Sequence, residues 1–159
     1  MRNLNKEYDH VYVDIDDTLI YGFWTDLMRH TWNFFRDNTL SQFLMYLQAK
    51  FKFYKVNHKL VRMLGNCTNV TFLTVRAPSF YTRLMLCQIL QTAGFIAELV
   101  ELGTDNGAFD KAEFIAKDAY ENNYERVCLV DDSQANRDMA IMYGFDIYNP
   151  TGMYERLIP

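Results

Sequence analysis

Three short apolar runs, rich in β-branched and aromatic residues, each end abruptly in polar or charged side chains. They are Val11-Tyr12-Val13-Asp14-Ile15 followed by Asp16-Asp17, Val70-Thr71-Phe72-Leu73-Thr74-Val75 stopping at Arg76, and Val127-Cys128-Leu129-Val130 stopping at Asp131-Asp132. Runs this short suit strands buried on both faces better than helices. Helix-length segments separate them. Ser79 can cap a helix in which Phe80, Leu84, Cys87 and Leu90/Gln91 share one face, closed by Gly94. Residues 96–100 then suit a strand. Asp110 and Glu113 have the spacing of a capping box, opening a helix that runs to about Tyr120 with Lys111 in its first turn. A helix over residues 136–143, ended by Gly144, and a strand over residues 145–148 complete the pattern. Strands alternating with helices imply right-handed βαβ crossovers, and so an α/β fold: a Rossmann-like parallel sheet with helices on both faces and the first strand at its centre. Ligands of such sheets bind beyond the carboxyl ends of the strands. Asp14, Asp16, Thr74, Arg76, Asp131 and Asp132 are therefore expected to converge.

A chain of 159 residues that is 50% hydrophobic can bury one substantial core, and 7 Gly with 3 Pro leave no room for a long linker or a low-complexity segment. There is no apolar signal-like start and no run of 18 apolar residues, so neither export nor a membrane span is indicated and a cytoplasmic location is expected. Cys67, Cys87 and Cys128 are an odd set without a CxxC pair, which speaks against zinc; Cys87 and Cys128 lie in apolar runs and read as buried, reduced thiols. His10, His30 and His58 show no ligand spacing. Charge is uneven. Between Asp37 and Glu98 there is no acidic residue, while Lys50, Lys52, Lys55, Lys59, Arg62, Arg76 and Arg83 give this stretch seven positive charges, a surface suited to an anion.

Residues 21–55 interrupt the strand and helix alternation. Trp24, Leu27, Met28, Thr31/Trp32 and Phe35, then Leu40, Phe43, Leu44, Leu47 and Phe51, form two amphipathic patterns, as in a helical hairpin. Its aromatic content exceeds what two lone helices can hide, so it must pack on the core or on a partner. The chain divides on this basis into a core, residues 1–20 and 56–159, and an inserted segment, residues 21–55.

Asp14-Ile15-Asp16-Asp17-Thr18-Leu19 after an apolar strand resembles the first motif of the haloacid dehalogenase superfamily, the DxDxT signature of its phosphotransferases. Thr74 at the end of the second run, Lys111 about twenty residues before the last acidic pair, and Asp131-Asp132 match the second, third and fourth motifs in order, so the resemblance spans residues 11 to about 136. It implies a Mg²⁺-dependent phosphomonoester hydrolase in which Asp14 is the nucleophile and forms an aspartyl-phosphate. Asp16 would be the general acid and base, and its main-chain carbonyl a metal ligand; Asp132 and Asp131 would complete the metal site, directly or through water. Lys111 would balance the gathered charge, ahead of Lys117 two turns further down the same helix. Thr74 and Thr18 would bind substrate, with Arg76 a phosphate clamp similar to an arginine of polynucleotide 3′-phosphatase domains or else a surface ion pair. Asp131 could steer Lys111, and Asn136 could hydrogen-bond Asp132. The insertion would then be a small cap over the site.

An elementary argument agrees. A phosphate monoester is a dianion at neutral pH, so a carboxylate attacks it only with cations alongside; Mg²⁺ prefers oxygen ligands and few carboxylates. The aromatic cap and Lys50, Lys52 and Lys55 favour a nucleotide or a nucleic-acid terminus over a small sugar phosphate. A phosphotransferase of the same fold, a sugar-phosphate phosphatase, and a non-catalytic binder docking a protein or an anionic membrane surface through its second inserted helix are the alternatives. The sequence leaves oligomeric state open.

Overall fold

The computed structural model describes residues 4–22, 43–44, 46–47, 50–51, 54–65, 69–76, 78, 80–94, 97–104 and 106–150. Its strands are β1 (His10–Val13), β2 (Ile20–Gly22), β3 (Tyr54–Val56), β4 (Val70–Thr74), β5 (Glu98–Glu101), β6 (Val127–Val130) and β7 (Asp146–Tyr148). Its helices include, in chain order, α1 (His58–Leu64), α2 (Phe80–Thr92), α3 (Gly107–Asn122) and α4 (Gln134–Met142). Five strands form one parallel sheet in the order β5-β4-β1-β6-β7, so β1 is central as expected. The chain leaves β1 toward β4 and β5 on one side and returns to β6 and β7 on the other. Crossovers diverge on either side of β1, which opens a crevice at its carboxyl end.

Alternation along the strands explains how both faces are covered. Val11, Val13 and Ile15 join Phe72, Val130 and residues of α1 and α2 in one buried cluster. Tyr12, Leu73 and Leu129 point the other way, onto Ile115 and Ala119 of α3 and Ala140 of α4. Each such Val, Leu, Ile or Phe contributes about 1.5–3 kcal/mol on burial. Tyr12 pays for its hydroxyl by donating to Asp118 on α3 at 2.5 Å. Burial, reinforced by that carboxylate, pushes the phenol well above its ordinary range, so it stays a donor.

Two helical expectations are corrected. In α2 the core face is Met85, Leu86, Ile89 and Leu90, whereas Phe80 and Cys87 are exposed. The helix is apolar nearly all round, so spacing alone defined two overlapping faces. The sheet took the one with more aliphatic bulk. Cys87 is thus not a buried thiol, although Cys128 is; Ser79 and Cys67 lie outside the described residues. Helix α3 begins at Gly107, not at Asp110, with Asn106 as its cap residue. Asp110 instead accepts the Thr104 hydroxyl from within the first turn. The expected strands and the helix of residues 136–143 are present with limits shifted by one or two residues.

β2 and β3 pair antiparallel, with Ile20 opposite Val56 and Tyr21 opposite Lys55, so this ribbon closes the base of the insertion. Phe43, Leu44, Tyr46, Leu47 and Lys50 are helical, in line with the second amphipathic pattern; the first, from Trp24 to Phe35, lies outside the described residues. Asn57 docks α1 beneath the ribbon. Its side chain accepts from Leu60 N–H at 3.0 Å and donates to the Thr18 carbonyl at 3.1 Å. No helix of the described residues is long and apolar enough to cross a membrane.

Candidate active site

Asp14 lies one residue past the end of β1, where its N–H still bonds the Val130 carbonyl at 2.9 Å and continues the ladder to β6. The chain then turns tightly. Leu19 and Ile20 N–H both reach the Ile15 carbonyl at 3.0 Å, and Asp17 takes a left-handed conformation (φ 58°) that Asp tolerates better than most residues. This turn carries Asp16 and Thr18 on the same side of the sheet edge as Asp131 and Asp132, which follow β6.

Lys111 reaches the same place from α3. Residues 102–104 run on beside the end of β4, with Leu102 N–H on the Thr74 carbonyl at 2.9 Å and Gly103 N–H on the Arg76 carbonyl at 3.0 Å. The first residue of α3 consequently presses against Val75: a Cβ on Gly107 would sit 2.7 Å from Val75 Cγ1. Glycine permits that approach. One turn later the Lys111 side chain is fully buried, its Nζ donating to Asp14 Oδ1 at 2.5 Å and to Asp131 Oδ2 at 2.7 Å. Lys117 is solvent-exposed and only loosely paired with Glu121 at 3.9 Å, so Lys111 is the lysine in the site.

Asp131 has both oxygens engaged. Oδ2 accepts from Lys111 and, at 2.9 Å, from Asn136; Oδ1 accepts from Ser133 N–H at 2.9 Å. Asp131 therefore steers Lys111, as expected, but Asn136 serves Asp131 and not Asp132. The helical turn of α4 brings its amide back over the nearer carboxylate. Asp132 is tied to Thr18, whose hydroxyl accepts from Asp132 N–H at 3.0 Å and donates to Oδ1 at 3.3 Å. Thr18, fully buried, is thereby a brace between β1 and β6, not a group presented to a ligand. Thr74 is also buried and accepts the Arg76 N–H at 3.3 Å. Arg76 is no surface ion pair: it is buried, and its fork grips Asp16, with Nε on Oδ2 at 2.7 Å and Nη2 on Oδ1.

Arg137 is a site residue that no motif of the sequence marks. It is buried on α4 and donates to the carbonyls of Asp131, at 2.8 Å, and Asp132, at 2.5 Å, while its other nitrogen reaches Gln134 at 2.6 Å. The signal available was an arginine one turn into a helix that follows two acidic residues. Its effect is to fix the backbone that carries both carboxylates.

No protein-family model, curated protein or solved structure matches this chain.

Asp14, Asp131 and Asp132 each offer an oxygen, and the three lie within 4.8 Å of one another. A six-coordinate divalent cation spaces its oxygen ligands about 3–5 Å apart, so small movements would let this set hold one. Charge points the same way. Arg76 is matched by Asp16, while the single charge of Lys111 is shared between two carboxylates, Asp14 and Asp131, with Asp132 beside them, so the trio carries more negative charge than the lysine neutralises. Burial is the largest influence on Asp14 and pushes its carboxyl well up; Lys111 opposes this, and the nearby Asp131 and Asp16 carboxylates add to it. For Lys111, burial acts to lower the value, but Asp14 and Asp131 outweigh it, so the ammonium is held above its ordinary range and stays charged. Asp16 has its carboxylate on Arg76 and outside the trio of potential ligands.

Proposed function

We propose that the protein is a Mg²⁺-dependent phosphomonoesterase working through an aspartyl-phosphate on Asp14, with the insertion of residues 21–55 as a cap. The observation that carries this reading is a fully buried lysine bridging one carboxylate from the end of the central strand and one from its neighbour, beside a third. A lysine so placed has no packing purpose that a Leu would not serve better, and desolvating three such ions is costly. It makes sense where an anion must be received. The order of motifs resembling the haloacid dehalogenase superfamily supports the same reading.

Asp14, Asp132 and Asp131 would hold Mg²⁺, together with the Asp16 carbonyl as the resemblance implies. Bound there, the metal supplies positive charge that lets a phosphate dianion approach a carboxylate. Asp14, one oxygen held by Lys111, attacks phosphorus. Asp16 gives a proton to the departing oxygen and then takes one from the water that cleaves the acyl phosphate. Lys111 holds Asp14 in place throughout, and Asp131 holds Lys111. Thr18 and Arg137 keep the Asp131-Asp132 segment at the correct distance from β1.

For the substrate, we favour a nucleotide or a nucleic-acid end. Tyr21, Phe43 and Phe51 are exposed aromatic side chains on the insertion and its base, and Lys50, Lys55, Lys59 and Arg62 are exposed nearby in sequence, a combination suited to stacking plus charge. The deciding experiment is release of p-nitrophenol from p-nitrophenyl phosphate with and without Mg²⁺. Turnover that requires Mg²⁺ and vanishes in a folded Asp14→Asn variant supports the reading; folded wild-type protein with no turnover refutes it. Adding an alcohol acceptor then separates transfer from hydrolysis, and a panel of nucleotides, oligonucleotide ends and sugar phosphates sorts the substrate.

A further inference from the structure

Arg76 carries a permanent charge yet is only 8% exposed. Its backbone is anchored on two sides, N–H to the Thr74 hydroxyl at 3.3 Å and carbonyl to Gly103 N–H at 3.0 Å. The side chain forks onto both oxygens of Asp16, whose own side chain is the more exposed partner at 26%. With both oxygens gripped, Asp16 is poorly placed to pass a proton to a leaving group. The fork that fits a carboxylate also fits a phosphate, and a dianion attracts it more strongly than a monoanion.

We propose that Arg76 works by exchange: it holds Asp16 until a phosphate arrives, takes over the guanidinium and frees Asp16. This rests on the phosphomonoesterase reading and adds to it that phosphate binding and release of the acid are one event. Released from Arg76, the Asp16 carboxylate takes a proton from solvent; in the first step the Asp14 oxygen bonds to phosphorus, the ester bond breaks, and Asp16 passes that proton to the leaving oxygen. In the second, water attacks phosphorus and gives a proton to Asp16, and the Asp14 bond breaks to release inorganic phosphate. Asp16 then gives this proton to solvent as phosphate leaves and Arg76 takes the carboxylate back.

A double-mutant cycle on phosphate binding tests the exchange without needing turnover. Inorganic phosphate is titrated calorimetrically, in Mg²⁺, into wild type, Asp16→Asn, Arg76→Ala and the double variant. Removing the Asp16 carboxylate should tighten phosphate binding about tenfold, the scale of one charge-assisted bond. In the Arg76→Ala background the same change should give no more than the small gain from losing a negative charge. Equal tightening in both backgrounds, or unchanged phosphate affinity in Arg76→Ala, overturns the proposal. Should Arg76→Ala not fold, Arg76→Lys replaces it: the charge remains but the fork is gone, and the Asp16→Asn gain should again shrink. Wild-type turnover of p-nitrophenyl phosphate is measured alongside. If the cycle holds and no turnover occurs, the hydrolase reading falls while the exchange stands; if turnover occurs and the cycle fails, the reverse.

Discussion

Lys111→Met should destabilise the fold strongly and Asp14→Asn should not, although they remove the two ends of one ion pair. Lys111 is the shared partner of Asp14 and Asp131, and all three side chains are at least nine-tenths buried. Methionine keeps most of the volume, so the loss is electrostatic: two carboxylates remain buried side by side with no ammonium between them. Breaking a buried pair in this way costs about 3–5 kcal/mol. For a chain of 159 residues that is roughly 6–20 °C in melting temperature, a large part of the stability of an ordinary domain. Asp14→Asn, by contrast, leaves Lys111 paired one to one with Asp131. It also removes a carboxyl whose folded value is raised by burial. A group raised on folding contributes most below its unfolded value, and that contribution is lost as pH rises toward the folded value. Near pH 7 the wild-type chain therefore bears the burial of Asp14, and the variant should be as stable or more so, with the difference fading toward pH 4. The assay is denaturant unfolding from pH 4 to 8 in a chelator, so that bound metal does not mask the comparison. If Asp14→Asn costs as much as Lys111→Met at neutral pH, the charge count that underlies the site is wrong.

Gly107→Ala should cost about 1–3 kcal/mol, since the new methyl meets the stiff Val75 side chain and must displace it or the start of α3; thermal melts read the stability, and any p-nitrophenyl phosphate turnover should fall further than stability explains because Lys111 moves with the helix. Arg137→Leu strips donors from the Asp131 and Asp132 carbonyls; Mg²⁺-dependent stabilisation in melting curves should shrink, and an unchanged Mg²⁺ response would show that Arg137 does not shape the acidic segment. Thiol labelling of the native protein followed by peptide mass mapping should modify Cys87 readily and Cys128 only after unfolding; equal rates would refute the orientation of α2.

Near-complete burial of short β-branched runs made the strands legible, because nothing else accounts for Val11-Tyr12-Val13 or Val127-Cys128-Leu129-Val130. With alternation came the parallel sheet, and with the sheet came convergence of Asp14, Asp131 and Asp132 at one rim. Helix faces were less legible. In α2, apolar residues surround the axis, so periodicity did not choose between Cys87 and Leu86 as the buried side chain. Capping patterns misplaced the start of α3, because what sets it is the close contact of Gly107 with Val75, two residues far apart in sequence.

Residue type alone thus determined which groups could do chemistry and at which end of the sheet they would gather, since strand direction and alternation are local properties. Partnership was decided only in three dimensions: Arg76 with Asp16, Asn136 with Asp131, Thr18 with Asp132, Arg137 with two backbone carbonyls. A buried charge or donor must find its complement within about 3 Å. Which complement lies there depends on how α3, α4 and the turn after β1 pack against one another, and no spacing along the chain encodes that distance.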